Sequence, residues 1–255
     1  MIQNNNMEKT IVEVKNLYVS FSELQAVRNL SFKVKAGDFI CVIGQSGCGK
    51  TTILNTIAGF IKSTKGSVLL AGTKIEKPTP KIGFVFQKYV LFPWKTVIEN
   101  VEFGLKIKDF GERKRKNLAR QYIKMVNLNG FENKYPYQLS GGMEQRVGIA
   151  RALANNPDVI LMDEPFASLD AITRMVMQEL LLEIYIKTKK TVIFITHNID
   201  EAIFLADRII VLTKKPAQVR KIFQVNVQRP RDYKTMSSNK EYIKLKENIL
   251  ALVKE

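Results

Sequence analysis

The chain has 255 residues, 45% of them hydrophobic, which is enough to bury a substantial core in one large α/β domain or two small ones. Its 40 lysines and arginines against 24 acidic residues give a net charge of +16. This charge indicates an acidic partner, either nucleic acid or anionic lipid, unless it only reflects a lysine-rich proteome. The sequence has no apolar stretch long enough for a membrane span and no signal-peptide pattern in residues 1–6. Two cysteines are too few for a disulfide framework, so the sequence predicts a cytoplasmic protein.

The first strong pattern is a glycine-rich loop between a strand and a helix. Alternating apolar and polar residues predict short strands from about residue 11 to 34. The apolar run Phe39–Ile43 predicts a buried strand, and helical spacing follows the loop. This is the context of a phosphate-binding loop, a Gly, four residues and Gly-Lys-Thr. The loop comprises Gly44, Gln45, Ser46, Gly47, Cys48, Gly49, Lys50, Thr51 and Thr52.

This loop predicts a nucleotide site. Glycines let main-chain N–H groups close round phosphate oxygens, and the helix that follows directs its partly positive N-terminus at the same anion. Lys50 can then reach the β- and γ-phosphates, and the Thr51 hydroxyl can ligate Mg²⁺. Cys48 at this helix N-terminus predicts a reactive thiol, whose alkylation inactivates the protein unless ATP protects it.

Two further strands and a helical segment follow. Strands are predicted at Ser67–Gly72 and Lys81–Phe86, and the second ends at Gln87, whose amide can reach Mg²⁺ or water. From about residue 97 to 129 the apolar spacing becomes helical, which predicts a small helical subdomain inserted into an α/β core. Its basic stretch, residues 106–116, is interpreted as a solvated helix face or a contact with a membrane surface.

Ser140, Gly141 and Gly142 precede another predicted helix, residues 143–154. An N-cap serine followed by two glycines is either an ordinary helix start or a second device for binding an anion. No second phosphate-binding loop accompanies it in the sequence. On the second interpretation it completes the site of another molecule, which predicts a dimer with shared sites.

Polar residues also follow two later strands. Asp163 and Glu164 come directly after the apolar run Val159–Met162, where one carboxylate can hold Mg²⁺ and the other can orient or deprotonate water. The single histidine, His197, follows the strand Thr191–Thr196 and is either structural or a contact to the γ-phosphate. Strands that alternate with helices predict a mainly parallel sheet covered by helices.

These motifs, in this order, resemble the ATP-binding subunit of an ABC transporter over nearly the whole length. The correspondences are Walker A at Gly44–Thr52, the Q-loop glutamine at Gln87, the ABC signature at Leu139–Arg146, Walker B at Val159–Glu164, the D-loop at Ser168–Asp170 and the switch histidine at His197. Glu144 stands where the group usually has a basic or amide residue, which weakens the attraction of the signature for anions.

The resemblance implies an α/β P-loop NTPase core with an N-terminal antiparallel β subdomain and an inserted α-helical subdomain. One ABC domain would span residues 8–232, with its helical insert at about 90–155, and residues 233–255 would form a short helical tail. It also implies a head-to-tail dimer that holds two ATP molecules between the Walker A of one subunit and the signature of the other.

Residue roles follow from the same resemblance. The expected catalytic residues are Glu164, His197, Gln87 and Lys50. Mg²⁺ is expected at Thr51, Gln87 and Asp163. ATP is expected to contact the loop Gly44–Thr52, the residues Ser140–Gly142 and Asp170, and the ring of Phe21, which would stack on adenine.

The stretch Leu91–Val97, with Glu99–Val101 and Gln228–Asp232, is similar to importers of the nitrate, sulfonate and taurine group. This implies a peripheral subunit on the cytoplasmic face of the membrane, with permease subunits as partners, a substrate-binding protein as an indirect partner and no nucleic acid. Phe92 and Trp94 would either contact the permease or pack inside the subdomain. The alternative function is a soluble ABC ATPase that acts on nucleic acid or in cofactor assembly.

Overall fold

The computed structural model describes residues 9–108 and 110–254. The predicted limits at residues 8 and 255, and residues 1–6, lie outside this range. The chain divides into two compact units: the first contains the residues up to Thr79 and from Lys190 onward, and the second contains Pro80–Lys189. Among the described residues, no helix has the length and apolar character needed to cross a bilayer.

The strands, in chain order, are β1 (Thr10–Phe21), β2 (Leu24–Lys35), β3 (Phe39–Ile43), β4 (Lys65–Leu70), β5 (Thr73–Lys74), β6 (Ile82–Val85), β7 (Val159–Asp163), β8 (Thr191–Thr196), β9 (Arg208–Leu212) and β10 (Val219–Gln224). The helices are α1 (Lys50–Ile57), α2 (Val97–Ile107), α3 (Glu112–Met125), α4 (Gly141–Ala154), α5 (Ala171–Thr188), α6 (Ile199–Leu205), α7 (Tyr233–Met236) and α8 (Lys240–Lys254), with a 3-10 turn at Pro136–Gln138.

The first unit contains an antiparallel sheet in the order β2-β1-β4-β5. β1 and β2 are longer than the sequence predicts, and register shifts along β1 interrupt their alternation. Asn16 and Asn29 take positive φ values of 42° and 46°, a conformation that asparagine tolerates better than most residues. Because these irregularities interrupt the alternation of apolar and polar residues, the sequence predicts several short strands where the structure has two long ones.

The first unit also contains parallel strands that lead to the glycine-rich loop. β3 pairs in parallel with β8 on one side and β9 on the other, and β10 extends β9 antiparallel. Every residue of β3 and β8 is buried, as their apolar runs predict. The sequence missed β10, because an exposed edge strand has no continuous apolar run. Ile43 pairs with Thr196, so β3 and β8 end at the same edge.

The second unit contains the parallel pair β6 and β7 and the helices α2–α5. Helices α2 and α3 confirm the predicted helical insert, and they bury apolar residues that recur at helical spacing: Val97, Val101, Leu105, Ala119 and Ile123. Thr96 and Glu99 form a capping box at the start of α2. The boundaries of the insert, at about 90 and 155, stay a prediction.

The end of helix α6 is held by an arginine from the later chain. Arg231 is buried, and its guanidinium donates to the carbonyl oxygens of Ile203, Phe204 and Ala206 at 2.7–2.9 Å. These are carbonyls at and beyond the last turn of α6, which lack partners within the helix. Arg229 forms an ion pair with Asp207, the residue before β9. The segment Gln228–Asp232 therefore has a structural role.

Candidate functional site

The glycine-rich loop of the first unit has the predicted context of strand, loop and helix. β3 ends at Ile43, and α1 begins at Lys50 with Gly49 as its N-cap. Lys50 is 5% exposed, and its ammonium group donates to the carbonyl oxygens of Gly44 and Gln45, each at 3.0 Å. These bonds hold the ammonium group within the loop, while Thr51 is exposed on the first turn of α1. A buried lysine beside backbone amides suits a phosphate group.

Two glycines of this loop have positive φ, but they differ in their surroundings. Gly49 has a φ of 116°, and a Cβ there would lie 2.9 Å from the carbonyl oxygen of Ala26. That carbonyl accepts a hydrogen bond from the Ala217 amide at 2.9 Å, so it is not free to move. Gly47 has a φ of 75° and no atom within 4 Å of such a Cβ. Position 49 therefore requires glycine for both backbone and space.

Cys48 corrects one sequence prediction. Its side chain is 2% exposed, and a Cβ on Gly44 would lie 2.8 Å from its Sγ. The thiol therefore packs beneath the loop and is not accessible to a reagent. Cys48 does lie next to the N-terminus of α1, but the direction of its side chain decides its accessibility.

Neither cysteine should react with a thiol reagent in the folded protein. Cys41 is fully buried in β3, and burial raises the pKa of its thiol. We expect dithionitrobenzoate to detect no thiol within minutes in native buffer and both thiols in guanidinium chloride. Fast labelling of Cys48 in the native state, with protection by ATP, would instead restore the prediction of a reactive thiol.

His197 and Phe21 are both accessible in the first unit. His197 directly follows β8, and Asn198 then caps α6 by accepting a hydrogen bond from the Glu201 amide at 3.1 Å. Since β3 and β8 end at one edge, His197 and Gly44 emerge on adjacent strands. Phe21 is 46% exposed at the end of β1, so its ring is available for stacking on a base.

In the second unit, Gln87, Asp163 and Glu164 lie at one edge of a parallel strand pair. Val85 pairs with Met162, so Gln87 and the two acids all lie one or two residues beyond this last pair, at the same end of the strands. Asp163 is 8% exposed as the last residue of β7. Glu164 takes a φ of +41°, which glutamate rarely adopts. Strained backbone of this kind is concentrated at functional sites, where it directs a side chain.

The signature and D-loop residues of the second unit both begin helices. Ser140 caps α4 by accepting a weak hydrogen bond from the Met143 amide at 3.4 Å. Asp170 caps α5 by accepting from the Thr173 amide at 3.0 Å, and the hydroxyl and amide of Thr173 lower the pKa of its carboxyl. Partial burial raises the pKa of Glu144 in the first turn of α4, which favours its neutral form.

Tyr89 is a residue that the sequence reasoning missed. Its hydroxyl lies 3.1 Å from the Ser168 hydroxyl of the D-loop. A Cβ on Gly141 would lie 2.6 Å from the same tyrosine oxygen. Tyr89 therefore joins the segment after Gln87 to both the signature and the D-loop within this unit. The only signal in the sequence was an aromatic residue two positions after Gln87.

An aromatic loop, residues 91–96, precedes α2 and is held by hydrogen bonds from one side chain. Asn100 is fully buried, and its side chain bonds to the amide and carbonyl of Phe92 and to the carbonyls of Lys95 and Thr96 at 2.9–3.2 Å. The Phe92 ring lies 4.5 Å from that of Phe103. Trp94 is 70% exposed, which contradicts packing of this side chain inside the subdomain.

The oxygen ligands at these positions suit Mg²⁺. This ion is usually held by one or two carboxylates together with hydroxyls, waters and substrate phosphates. Within the second unit Asp163 offers a carboxylate at a strand end, and within the first unit Thr51 offers a hydroxyl beside the phosphate-binding loop, so each has the chemistry of a Mg²⁺ ligand. Across residues 9–108 and 110–254, no group of three or more His, Cys, Asp or Glu side chains is placed to hold a metal ion.

Comparison with known proteins identifies the class of this chain. The family model described as ABC transporter matches residues 27–167, which include the phosphate-binding loop, Gln87, the signature and Glu164. The chain therefore belongs to the ABC transporter family, as one of its ATP-binding, ATP-hydrolysing subunits.

Individual relatives make the likeness more specific. An uncharacterized ABC transporter ATP-binding protein of Methanocaldococcus jannaschii is 45% identical over 100% of this chain and 95% of its own length. The aliphatic sulfonates import ATP-binding protein SsuB of Bacillus anthracis is 44% identical over 91% of each chain. The ATP-binding cassette MJ0796, solved as a post-hydrolysis dimer bound to ADP and Pi, has a TM-score of 0.74 and 36% identity, covering 86% of this chain and 100% of its own.

Proposed function

We propose that the chain hydrolyses ATP to drive an importer for a small anion or organic solute of the sulfonate, taurine or nitrate kind. Its likeness to a sulfonate import subunit, at 44% identity over 91% of the chain, supports the import role. The observation that carries the catalytic role is the backbone of Glu164, which follows Asp163 at the end of β7 and has a left-handed φ of +41°. Separate permease subunits span the membrane and form the transport path.

The phosphate-binding loop binds ATP. The amides of residues 44–52 and the ammonium group of Lys50 hold the β- and γ-phosphates, and Phe21 stacks on adenine. By the resemblance, Thr51, Asp163 and Gln87 would hold Mg²⁺, which would supply positive charge to the phosphates. The two carbonyl bonds of Lys50 support this role, because they keep the long side chain ordered before a phosphate arrives.

Glu164 polarises the attacking water, and His197 holds the γ-phosphate and that water in place. A carboxylate is the group in this set that can accept the proton of the water. His197 is exposed at the end of β8, and the Asn198 cap fixes the backbone after it. Gln87 is exposed at the end of its own strand and carries the state of the nucleotide towards the permease.

The chain acts as a head-to-tail dimer in which a second copy supplies Ser140–Gly142 and Asp170 to the nucleotide. Helix α4 begins at Gly141, so amides of its first turn are available for an anion. The relative MJ0796 was solved as a dimer bound to ADP and Pi, which supports a dimer for this chain. The exposed Trp94 beside Phe92 supplies an aromatic anchor for a permease at the cytoplasmic face of the membrane.

Affinity capture from solubilised native membranes tests the proposal. The bait is tagged protein carrying Glu164→Gln, held with ATP, and the matched control bait carries Trp94→Ala in addition. We expect a multi-span membrane protein with the first bait and several-fold less of it with the second. Recovery of soluble or nucleic-acid partners alone would overturn the import role and favour the alternative suggested by the net charge of +16.

A further inference from the structure

Helix α8 packs along the first unit through one face. Tyr242 and Ile249 are buried, and Leu245, Lys246, Leu252 and Val253 are partly buried, so the covered positions recur every three or four residues. Leu250 is also partly buried, and the other described positions from Glu241 to Ala251 are exposed. The helix is therefore docked along most of its length, which the predicted helical tail at residues 233–255 did not specify.

The end of α8 contacts the phosphate-binding loop. The Gln45 side-chain amide donates to the Val253 carbonyl oxygen at 2.9 Å, and these residues are 208 positions apart. The Arg220 guanidinium donates to the neighbouring carbonyl of Leu252, also at 2.9 Å. The last carbonyls of a helix have no partner inside it and carry the negative end of its dipole. Gln45 therefore caps α8, and α8 in turn fixes the side chain of a loop residue.

The beginning of α8 contacts helix α6. The Tyr242 hydroxyl donates to the carboxylate of Asp200, and the Lys246 ammonium group lies 2.6 Å from the same oxygen. Asp200 is in the first turn of α6, three residues after His197. Burial, followed by the bond to Asp200, raises the pKa of Tyr242 and so keeps the hydroxyl a donor. One helix thus holds two segments that lead into the nucleotide site.

We infer that α8 is a brace that positions the phosphate-binding loop, with Gln45 as the positioning residue at the point of contact. This inference rests on the proposed function for its consequence, because the braced loop is the one proposed to bind ATP. A loop held in the binding conformation loses less conformational freedom when the ligand arrives. Loss of the brace therefore weakens ATP binding and leaves the chemical step unchanged.

The test compares Gln45→Ala, a chain that ends at Leu250, and the combination of the two. ATP affinity is measured by calorimetry with Mg²⁺ present, and kcat is measured at saturating ATP. A single neutral hydrogen bond predicts an increase of about 3- to 10-fold in Kd for each single variant. Since both remove the same contact, the combination should equal the weaker-binding single variant and not multiply the two effects. For the truncated chain, in which the sequence of the loop is intact, we expect kcat to remain within about twofold, as for lost ground-state binding.

The matched control is Lys221→Ala, next to Arg220 on β10, where the lysine lies over the ring of Phe223. It should leave the ATP affinity unchanged. Two results overturn the brace: Gln45→Ala binds ATP as the intact chain does, or the truncation lowers the melting temperature while the Kd stays the same. The ATP-binding and melting measurements need no permease. A failed capture experiment with a positive ATP-binding result therefore rejects the import role alone.

Discussion

Replacing Glu164 with glutamine should lower the steady-state rate of ATP hydrolysis by about 10²- to 10⁴-fold, the range typical of a lost general base. Glutamine has nearly the same shape, so the left-handed turn after β7 and the packing around it are retained. ATP binding should persist, because the carboxylate acts on water in the chemical step. Phosphate release measures the rate, and gel filtration with ATP should show an increased fraction of dimer.

Glu183→Gln is a suitable control for this substitution. Glu183 lies in the same unit, on the exposed side of α5, in a surface ion pair with Lys187 at 3.7 Å. Such pairs contribute little to stability, so the control should hydrolyse ATP at the normal rate. If Glu164→Gln kept most of its activity, a different residue would have to accept the proton of water.

Gly49→Ala should weaken ATP binding by more than about 100-fold, the second largest effect that we expect. A φ of 116° is strained for alanine, and its Cβ would lie 2.9 Å from a backbone carbonyl that is already bonded. Strain and overpacking each cost about 1–3 kcal/mol, and a total near 3 kcal/mol corresponds to about two orders of magnitude in affinity. Calorimetric titration with ATP and Mg²⁺ measures the loss.

Gly47→Ala provides the comparison within the same loop. Its φ of 75° falls in the left-handed region, which costs alanine about 1–2 kcal/mol, and no neighbouring atom obstructs a Cβ. We expect a smaller loss of affinity, about 5- to 30-fold. Equal losses at the two positions would show that backbone strain alone, and not the contact with Ala26, limits position 49.

The parts of the fold that sequence predicts well are those where one local pattern decides the structure. Phe39–Ile43 and Val159–Met162 are apolar throughout because both faces of their strands are buried. The glycines of the loop predict a turn with positive φ values, which other residues rarely adopt. The order of the motifs indicates the class of protein, which the family comparison confirms.

The parts that sequence does not predict depend on contacts between distant residues. Nothing local to Cys48 shows that its thiol is directed beneath Gly44. Nothing local to Gln45 indicates that it meets a carbonyl 208 residues away. Tyr89 looks like a surface aromatic until the fold brings Gly141 and Ser168 to it. A one-dimensional pattern contains burial periodicity but not the direction of a single side chain.

The Asn100 network has a thermodynamic consequence for recognition at the aromatic loop. One buried amide fixes the backbone from Phe92 to Thr96, so Trp94 projects from a chain whose conformational entropy is already lost on folding. A partner that covers Trp94 would restrict the indole torsions but little backbone. Association there should therefore show a smaller entropic penalty than docking onto a mobile loop, with a negative heat-capacity change from the covered indole.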